Sequence, residues 1–287
     1  MPESSNQNFN HLKIHSQYSI CEGAIKIDDL QDFSKSNKIK SLALCDTSNL
    51  CGALEFAEKI SKVGTQPIIG TQINFKYGDC IGLLPLFALN EEGYKRIIKL
   101  SSTSYLENDE LSDPHVDFND LLDDNTGVAV FSGTIFGLFG ELFNKGKFSE
   151  ISELYKKLKL NFGDRFYIEV QRHNDQNELS FEKFNLSKSL DLEISIIATN
   201  EVFYLNKDMH EAHDALICIG HKTYVNDKSR IRLSNQHYYK SNSEMIELFA
   251  DLPEALENNY NFPLRCNFRP LFSNPILPNI SSEKGGN

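Results

Sequence analysis

The chain has 287 residues, enough to bury the core of one large domain or two small ones. Its formal net charge of −11 argues against gripping a nucleic-acid backbone through this chain alone, because phosphate binding requires a basic surface. The six cysteines include no CxxC pair, which favours reduced thiols in a cytoplasmic protein. The longest apolar run, residues 80–89, is too short to cross a bilayer, so we expect no membrane contact.

Strand and helix patterns alternate along the chain. Residues 11–19 predict a first strand, with His11, Lys13 and His15 on one face and Leu12 and Ile14 on the other. Apolar runs predict further strands at residues 41–46, 67–75, 81–89, 128–132, 165–170 and 194–199. Helical spacing predicts helices over residues 23–36, 52–63, 91–102, 118–122, 135–143, 148–158, 177–190, 207–219 and 243–260. This alternation indicates an α/β fold with a mostly parallel sheet.

Polar residues stand at the ends of several predicted strands: His15, Asp46, Gln72, His173 and Glu201. In a (β/α) barrel the strand ends meet at one mouth, so we expect a site there. Two histidines on one strand face are typical of a metal site. A lysine between them, Lys13, is not typical of a metal site, because an ammonium group has no lone pair and repels a cation.

The chain divides into three segments by composition. We expect a disordered polar leader over residues 1–8 and one folded domain over residues 9–269. Residues 270–287 contain proline, serine and glycine without periodicity and are typical of a linker. A chain that ends on a linker suggests a segment of a longer protein.

Several stretches in a fixed order resemble the PHP (polymerase and histidinol phosphatase) domain at the N-terminus of bacterial DNA polymerase III alpha subunits. They are HLKIHSQYS at 11–19, LALCDTSNLCGALEF at 42–56, PIIG at 67–70, FYIEVQRH at 166–173, ATNEVFY at 198–204, AHD at 212–214, RCN at 265–267 and PILP at 275–278. The resemblance implies a distorted (β/α)7 TIM-like barrel. It also implies that a polymerase palm, with DNA-directed DNA polymerase (nucleotidyltransferase) activity, would follow this chain.

In metal-bound members of this family, the resemblance implies, the mouth holds divalent ions that serve phosphoester hydrolysis. The family's ligand positions are matched here by His15, Asp46 and His173, and in part by Glu201. Five other positions depart from the pattern: Lys13, Thr47, Gln72, Thr134 and Phe203. Each departure removes a lone pair or a negative charge.

The resemblance therefore implies a degenerate metal site with no catalytic residue and no cofactor in this segment. We expect Lys13 to pair with Asp46 or Glu201, and Phe203 to fill the vacated volume. The alternative is a single zinc or manganese ion held by His15, Asp46 and His173.

Three functions follow from the resemblance. The first is a non-catalytic scaffold that braces the other polymerase domains and docks a proofreading exonuclease subunit, with DNA contacted only through the full-length subunit of the replicase. The second is a metal-dependent phosphoesterase or exonuclease with a mononuclear site. The third, weakened by the match at residues 265–278, is a stand-alone phosphatase related to histidinol phosphatase.

The remaining histidines have simpler interpretations. We expect His11 to be a hydrogen-bonded structural residue. His213 and Asp214 are adjacent in a predicted helix and do not face each other, which favours packing or surface roles. The other histidines are expected to be solvated: His115, His210, His221 and His237.

Overall fold

Strands and helices alternate through residues 8–108 and 112–274, the part of the chain that the computed structural model describes. The strands are β1 (Lys13–Ile14), β2 (Ser41–Thr47), β3 (Gln66–Tyr77), β4 (Cys80–Ala88), β5 (Val116–Asp117), β6 (Val128–Phe131), β7 (Phe166–Val170), β8 (Ile196–Ala198) and β9 (Glu201–Val202). The helices are α1 (Ile27–Asn37), α2 (Ala53–Lys62), α3 (Glu91–Leu106), α4 (Phe118–Asp123), α5 (Leu138–Asn144), α6 (Phe148–Phe162), α7 (Glu178–Leu192), α8 (His210–Gly220), α9 (Asn242–Leu248) and α10 (Pro253–Asn261). Short 3-10 helices span Gly163–Arg165, Lys207–Met209 and Phe262–Arg265.

The sheet closes into a barrel through one interrupted strand. Its strand order is β8-β7-β6-β4-β3-β2-β1-β9, so β8 and β9 lie at the two ends of the path. Only Thr199 and Asn200 separate these two strands along the chain. The segment from Ile196 to Val202 therefore pairs with β7 through its first half and with β1 through its second half. If β8 and β9 are counted as one strand, the barrel wall in the described residues has seven strands.

The barrel is mixed rather than purely parallel. Strand β4 runs antiparallel to both of its neighbours, β3 and β6. The other neighbouring strands of the barrel run parallel to each other. Strands β3 and β4 form a hairpin, which explains the reversal because a short turn joins only antiparallel strands. The prediction of a distorted (β/α)7 TIM-like barrel is confirmed, and the hairpin is its distortion.

Alternation along β2 shows how the core is divided. Ala43 and Cys45 pack inside the barrel, whereas Leu42 and Leu44 face α1 and α2 outside. The inner cluster is rich in aromatic rings: Phe131 lies 4.6 Å from Phe87 and 5.1 Å from Phe262, measured between ring centroids. These apolar residues fill one end of the barrel, and the polar residues of the strands are left to the other end.

The first strand is shorter than predicted. The strand spans only Lys13 and Ile14. Single backbone hydrogen bonds flank it: the N–H of Ala43 donates to the carbonyl oxygen of His11 at 3.0 Å, and the N–H of His15 donates to that of Val202 at 2.9 Å. Leu12 joins the cluster inside the barrel and Ile14 the cluster outside it, which makes their predicted common face wrong. His11 is buried away from Lys13, and its Nε2 lies 2.9 Å from the carbonyl oxygen of Lys240, in agreement with a structural role.

The predicted helix over residues 243–260 is wrong in its continuity. It is two helices, α9 and α10, and Pro253 occupies the first position of α10, where its missing N–H leaves no helical hydrogen bond unmade. Of the predicted leader and linker, residues 1–7 and 275–287 lie outside the described residues, and residues 271–274 form no regular secondary structure. None of the helices in the described ranges is long and apolar enough to cross a bilayer.

Candidate functional site at the barrel mouth

A buried lysine stands at the centre of the polar end of the barrel. Strands β1 and β9 are parallel neighbours, and their register places Lys13 opposite Glu201. The Nζ atom of Lys13 lies 3.1 Å from Oε1 of Glu201 and 3.7 Å from Oε1 of Glu169, which projects from β7. All three residues are buried. One ammonium group therefore balances two carboxyl groups away from water.

The surroundings shift the pKa values of these three groups. Burial by itself lowers the pKa of Lys13, but the charges of Glu169 and Glu201 outweigh it and raise that pKa above its usual value. Burial likewise opposes ionisation of Glu201, yet Lys13 and His15 hold the pKa of this carboxyl well below its usual range. At Glu169 burial prevails and raises the pKa. Lys13 and Glu201 thus form the ionised pair, and Glu169 is the weaker acid beside them.

Glu169 is fixed by neutral donors. Thr199 donates its hydroxyl hydrogen to Oε1 of Glu169, and Nε2 of Gln171 donates to the same oxygen at 3.0 Å. The hydroxyl of Ser132 accepts the backbone N–H of Glu169 at 2.9 Å. Glu169 did not stand out in the sequence, because a single acid within an apolar strand has no local signal that shows which residue it will face.

His15 extends the network toward the mouth. Its Nε2 lies 3.1 Å from Oε1 of Glu201, and its Nδ1 lies 3.3 Å from the hydroxyl of Ser19. The ring of Phe203 lies 4.6 Å from the ring of His15 and also contacts the rings of His213 and His237. Phe203 therefore packs against the rings of three histidines.

Asp46 does not pair with Lys13. Its Oδ1 accepts the backbone N–H of Ser16 and the hydroxyl of Ser19, both at 2.7 Å. Its Oδ2 accepts the hydroxyl of Ser16 at 2.8 Å. Of the two expected partners of Lys13, Glu201 is in place, whereas Asp46 secures the loop after β1 instead.

Three other sequence-predicted positions line the same mouth. Thr47 donates its hydroxyl hydrogen to Oε2 of Glu22 at 2.6 Å. Nε2 of Gln72 lies 3.2 Å from the hydroxyl of Thr47 and 3.3 Å from Oε1 of Glu201. Thr134 caps its own loop by accepting the backbone N–H of Phe136 at 3.1 Å. Each side chain thus has a hydrogen-bond partner within the protein.

A second group of polar side chains gathers beside this network. His173, Asp175 and His237 each offer a ligand atom within 4.8 Å of the others. Oδ2 of Asp175 lies 2.9 Å from Nε2 of His237, and the rings of His173 and His237 stack at 4.1 Å with planes 2° apart. His237 is buried, so the expectation that it is solvated is wrong. The sequence gives no signal that brings His237 to Asp175, which is far away along the chain.

His173 is already engaged at both ring nitrogens. Nδ1 lies 3.3 Å from Oε1 of Glu178, and Nε2 lies 3.1 Å from Oδ1 of Asn200. Burial, followed by the nearby His237 and Lys240, lowers its pKa well below the usual value. The imidazole is therefore neutral at physiological pH.

Above the polar network lies a largely apolar cavity of about 280 Å³. Its apolar walls are Leu83, Phe136, Phe203, Ile217, Ile231 and Leu233. Gln72, Thr134, Glu201 and His237 are among its polar walls. The mouth thus combines a polar floor with apolar sides.

The fold and the mouth together define an α/β barrel domain with a polar centre at one end. The chain belongs to the PHP domain family, whose model matches residues 11–173, more than half of the chain.

The curated relatives of the chain include proteins named DNA polymerase III subunit alpha. One from Caulobacter vibrioides is 35% identical over 100% of this chain and 26% of its own length. One from Borreliella burgdorferi is 36% identical over 94% of this chain and 25% of its own length. The chain therefore spans about a quarter of the length of these relatives.

Solved structures also resemble the chain at a distance. One is a two-domain protein from Bacteroides vulgatus described as containing a predicted PHP-like metal-dependent phosphoesterase. It shares 12% sequence identity and a TM-score of 0.42, over 84% of this chain and 62% of that one.

Lys13→Met is expected to lower the free energy of unfolding by about 3–5 kcal/mol, because it leaves buried carboxyl groups without their cation. The matched control is Lys59→Met, whose ammonium pairs with Glu55 and Asp28 at the surface. This control is expected to cost less than about 1 kcal/mol. Urea unfolding of both variants measures the difference, and equal losses would refute a central role for the Lys13 charge.

Stability is expected to fall as the pH decreases from 6 to 5. Burial lowers the pKa of His11 to about 3 and that of His213 to about 4, and it lowers the pKa of His173 as well. Because the usual value is about 6.5, the unfolded chain takes up these protons first, and each histidine costs about 1.4 kcal/mol per pH unit. Burial raises the pKa of Glu178 to about 7 and also raises that of Glu169, so these groups take up protons in the folded state and offset part of the loss; the three histidines still make the net change a loss in acid.

Urea unfolding at several pH values measures this slope. His11→Gln removes one of the three groups, so we expect its slope to be smaller by about 1.4 kcal/mol per pH unit. A slope unchanged by the substitution would contradict the assignment of His11 to the buried neutral set.

Proposed function

We propose that this chain is the PHP segment of a replicative DNA polymerase subunit and serves there as a non-catalytic scaffold. The identity of 35% across 100% of the chain to a protein named DNA polymerase III subunit alpha supports the polymerase context. The chain corresponds to about a quarter of that protein, which leaves polymerisation to parts outside it.

The observation that carries the non-catalytic role is the Lys13 ammonium, 3.1 Å from Glu201. A divalent ion placed beside Glu201 would meet this positive charge at close range. Both oxygens of Asp46 are already occupied by serine donors, so binding a metal there would break these hydrogen bonds. The residues present do not fit a multinuclear metal cluster.

A scaffold role accounts for what the mouth retains. Lys13 supplies inside the protein the positive charge that metal ions would supply in a metal-bound relative, so the carboxyl groups at the strand ends remain compatible with a folded barrel. A polymerase segment without its own hydrolytic centre leaves proofreading to a separate protein. We propose that the barrel docks the proofreading exonuclease subunit and braces the remaining polymerase domains in the cytoplasm. Because the net charge of the chain is −11, DNA is contacted through the full-length subunit.

A second candidate function is a phosphoesterase with a single zinc or manganese ion. The predicted ligands His15, Asp46 and His173 are not among the groups that gather within 4.8 Å in the described residues, whereas His173, Asp175 and His237 are, and this gathering favours a single ion. Two features weigh against it. The two imidazole planes are parallel rather than convergent on one point, and both nitrogens of His173 have protein partners.

Elemental analysis separates the two functions. After equilibration with zinc or manganese and dialysis, the purified protein is expected to hold far less than one ion per chain and to show no metal-dependent hydrolysis of phosphoesters. A stoichiometric ion would overturn the scaffold proposal. His15→Ala and Asp175→Asn would then locate that ion. The first removes a ligand only from the predicted set that contains Asp46, and the second only from the set that contains His237.

Exonuclease docking is tested by gel filtration with the proofreading exonuclease from the same organism. We expect the two proteins to elute together. The matched control is the full-length polymerase subunit. Absence of a complex with both the chain and the full-length subunit would refute docking, whereas a complex with the full-length subunit alone would place the docking surface outside this chain.

A further inference from the structure

The loops above the barrel mouth expose apolar side chains around the cavity. Phe136 and Ile231 line the cavity and are 51% and 57% exposed. Ile20 in the loop after β1, Ile219 near the end of α8 and Tyr224 in the loop after α8 are each at least 70% exposed. The loop that carries Ile20 meets the end of α8, because a Cβ atom built at Gly220 would lie 2.7 Å from the Cβ atom of Cys21. Exposed apolar surface next to a cavity is typical of an interaction site.

The loop between α8 and residue 233 is basic, although the chain as a whole is acidic. Residues 221–232 contain Lys222, Lys228, Arg230 and Arg232 against a single acid, Asp227. Arg230 is committed to Asp214 through two hydrogen bonds of 2.6 Å. The other three basic side chains are exposed.

Two of these basic residues are next in the chain to residues that line the cavity. His221 lines the cavity, and Lys222 follows it in the chain. Ile231 and Leu233 also line it, and Arg232 lies between them, 54% exposed at its side chain. Arg232 lies 3.3 Å from Glu211, which is itself 77% exposed, so this ion pair is open to solvent; its Nε also lies 3.8 Å from Oδ2 of the buried Asp214. On the side formed by this loop, the rim of the apolar cavity is therefore next to exposed basic side chains.

We infer that the barrel mouth binds an acidic peptide segment of another protein, with a leucine or phenylalanine side chain inserted into the cavity. A buried apolar anchor surrounded by charged contacts at the rim is the usual arrangement of a peptide-binding site. Aspartate and glutamate on either side of the anchor would face Lys222 and Arg232. The chemistry of the bound segment defines this site, whichever protein carries the segment, so the site does not depend on the exonuclease docking proposed above.

The same observations favour a peptide over other ligands. The cavity of about 280 Å³ lies at the lower limit for small-molecule sites, and the exposed apolar residues extend beyond it. A single-stranded nucleic acid would use the basic loop but leave the apolar walls without a function. Glu22 and Glu201 in the cavity walls also disfavour a phosphate group inside it.

Fluorescence anisotropy with the full chain tests the inference. The probe is a short fluorescein-labelled peptide in which leucine and phenylalanine are flanked by aspartate and glutamate. We expect saturable binding that weakens as salt is added. A peptide with lysine in place of every acid is expected not to bind.

Two variants locate the site. Lys222→Glu combined with Arg232→Gln reverses one basic charge and removes the other, and Ile231→Gln removes an apolar wall. Each is expected to weaken binding about tenfold, which corresponds to about 1.4 kcal/mol. The matched controls lie on α6, where Lys157→Glu changes an exposed charge and Leu160→Gln an exposed apolar residue. Both controls are expected to bind as the unaltered chain does.

Three outcomes would overturn the inference. The first is no saturable binding of the acidic peptide, and the second is equal binding by the rim variants and the controls. The third is binding of a single-stranded oligonucleotide, but not of the peptide, that is lost with Lys222 and Arg232. Thermal unfolding of each variant, expected to match the unaltered chain because all the substituted side chains are exposed, separates lost binding from lost folding.

Discussion

The ammonium group of Lys13 is the constraint on which the polar end of the barrel depends. Carboxyl groups cannot remain buried and ionised without a partner, and in this end of the barrel Glu169 and Glu201 both point inward. Lys13 provides the compensating positive charge. Its charge also decides the roles of its neighbours, because Glu201 becomes the anion that His15 and Gln72 contact. A change at Lys13 is thus a change to the whole network.

Barrel closure puts these groups in register. Because β8 and β9 are the two halves of one interrupted strand, Thr199 and Asn200 between them connect the β7 side of the barrel to the β1 side. Asn200 accepts a hydrogen bond from Nζ of Lys240 at 2.9 Å, and Nε2 of His173 accepts the backbone N–H of Glu201 at 3.3 Å. Where the strand is interrupted, the backbone N–H of Glu201 is thus bonded to a side chain of the site rather than to a neighbouring strand.

Much of this arrangement can be predicted from sequence. Apolar periodicity places most helices and strands, and family motifs identify His15, Asp46 and His173 as residues of one mouth. What sequence cannot supply is pairing between distant segments. Glu169 and Asp46 are both acids at barrel strands, yet only Glu169 reaches Lys13, because the loop after β1 provides serine donors to Asp46. His237 is a similar case, since it follows an irregular loop whose path no periodic pattern describes.

The joining of β1 to β9 also sets the order in which the protein can form during its synthesis. His15 and Glu201 are 186 residues apart, so the N-terminal strand leaves the ribosome long before its partner exists. Until Glu201 has been made, Lys13 lacks its nearest carboxyl partner and the strand that completes the barrel beside it. Contacts of such large sequence separation form slowly. Closure of the barrel, and with it dehydration of the lysine, therefore belongs to the last stage of folding of this segment of the nascent chain.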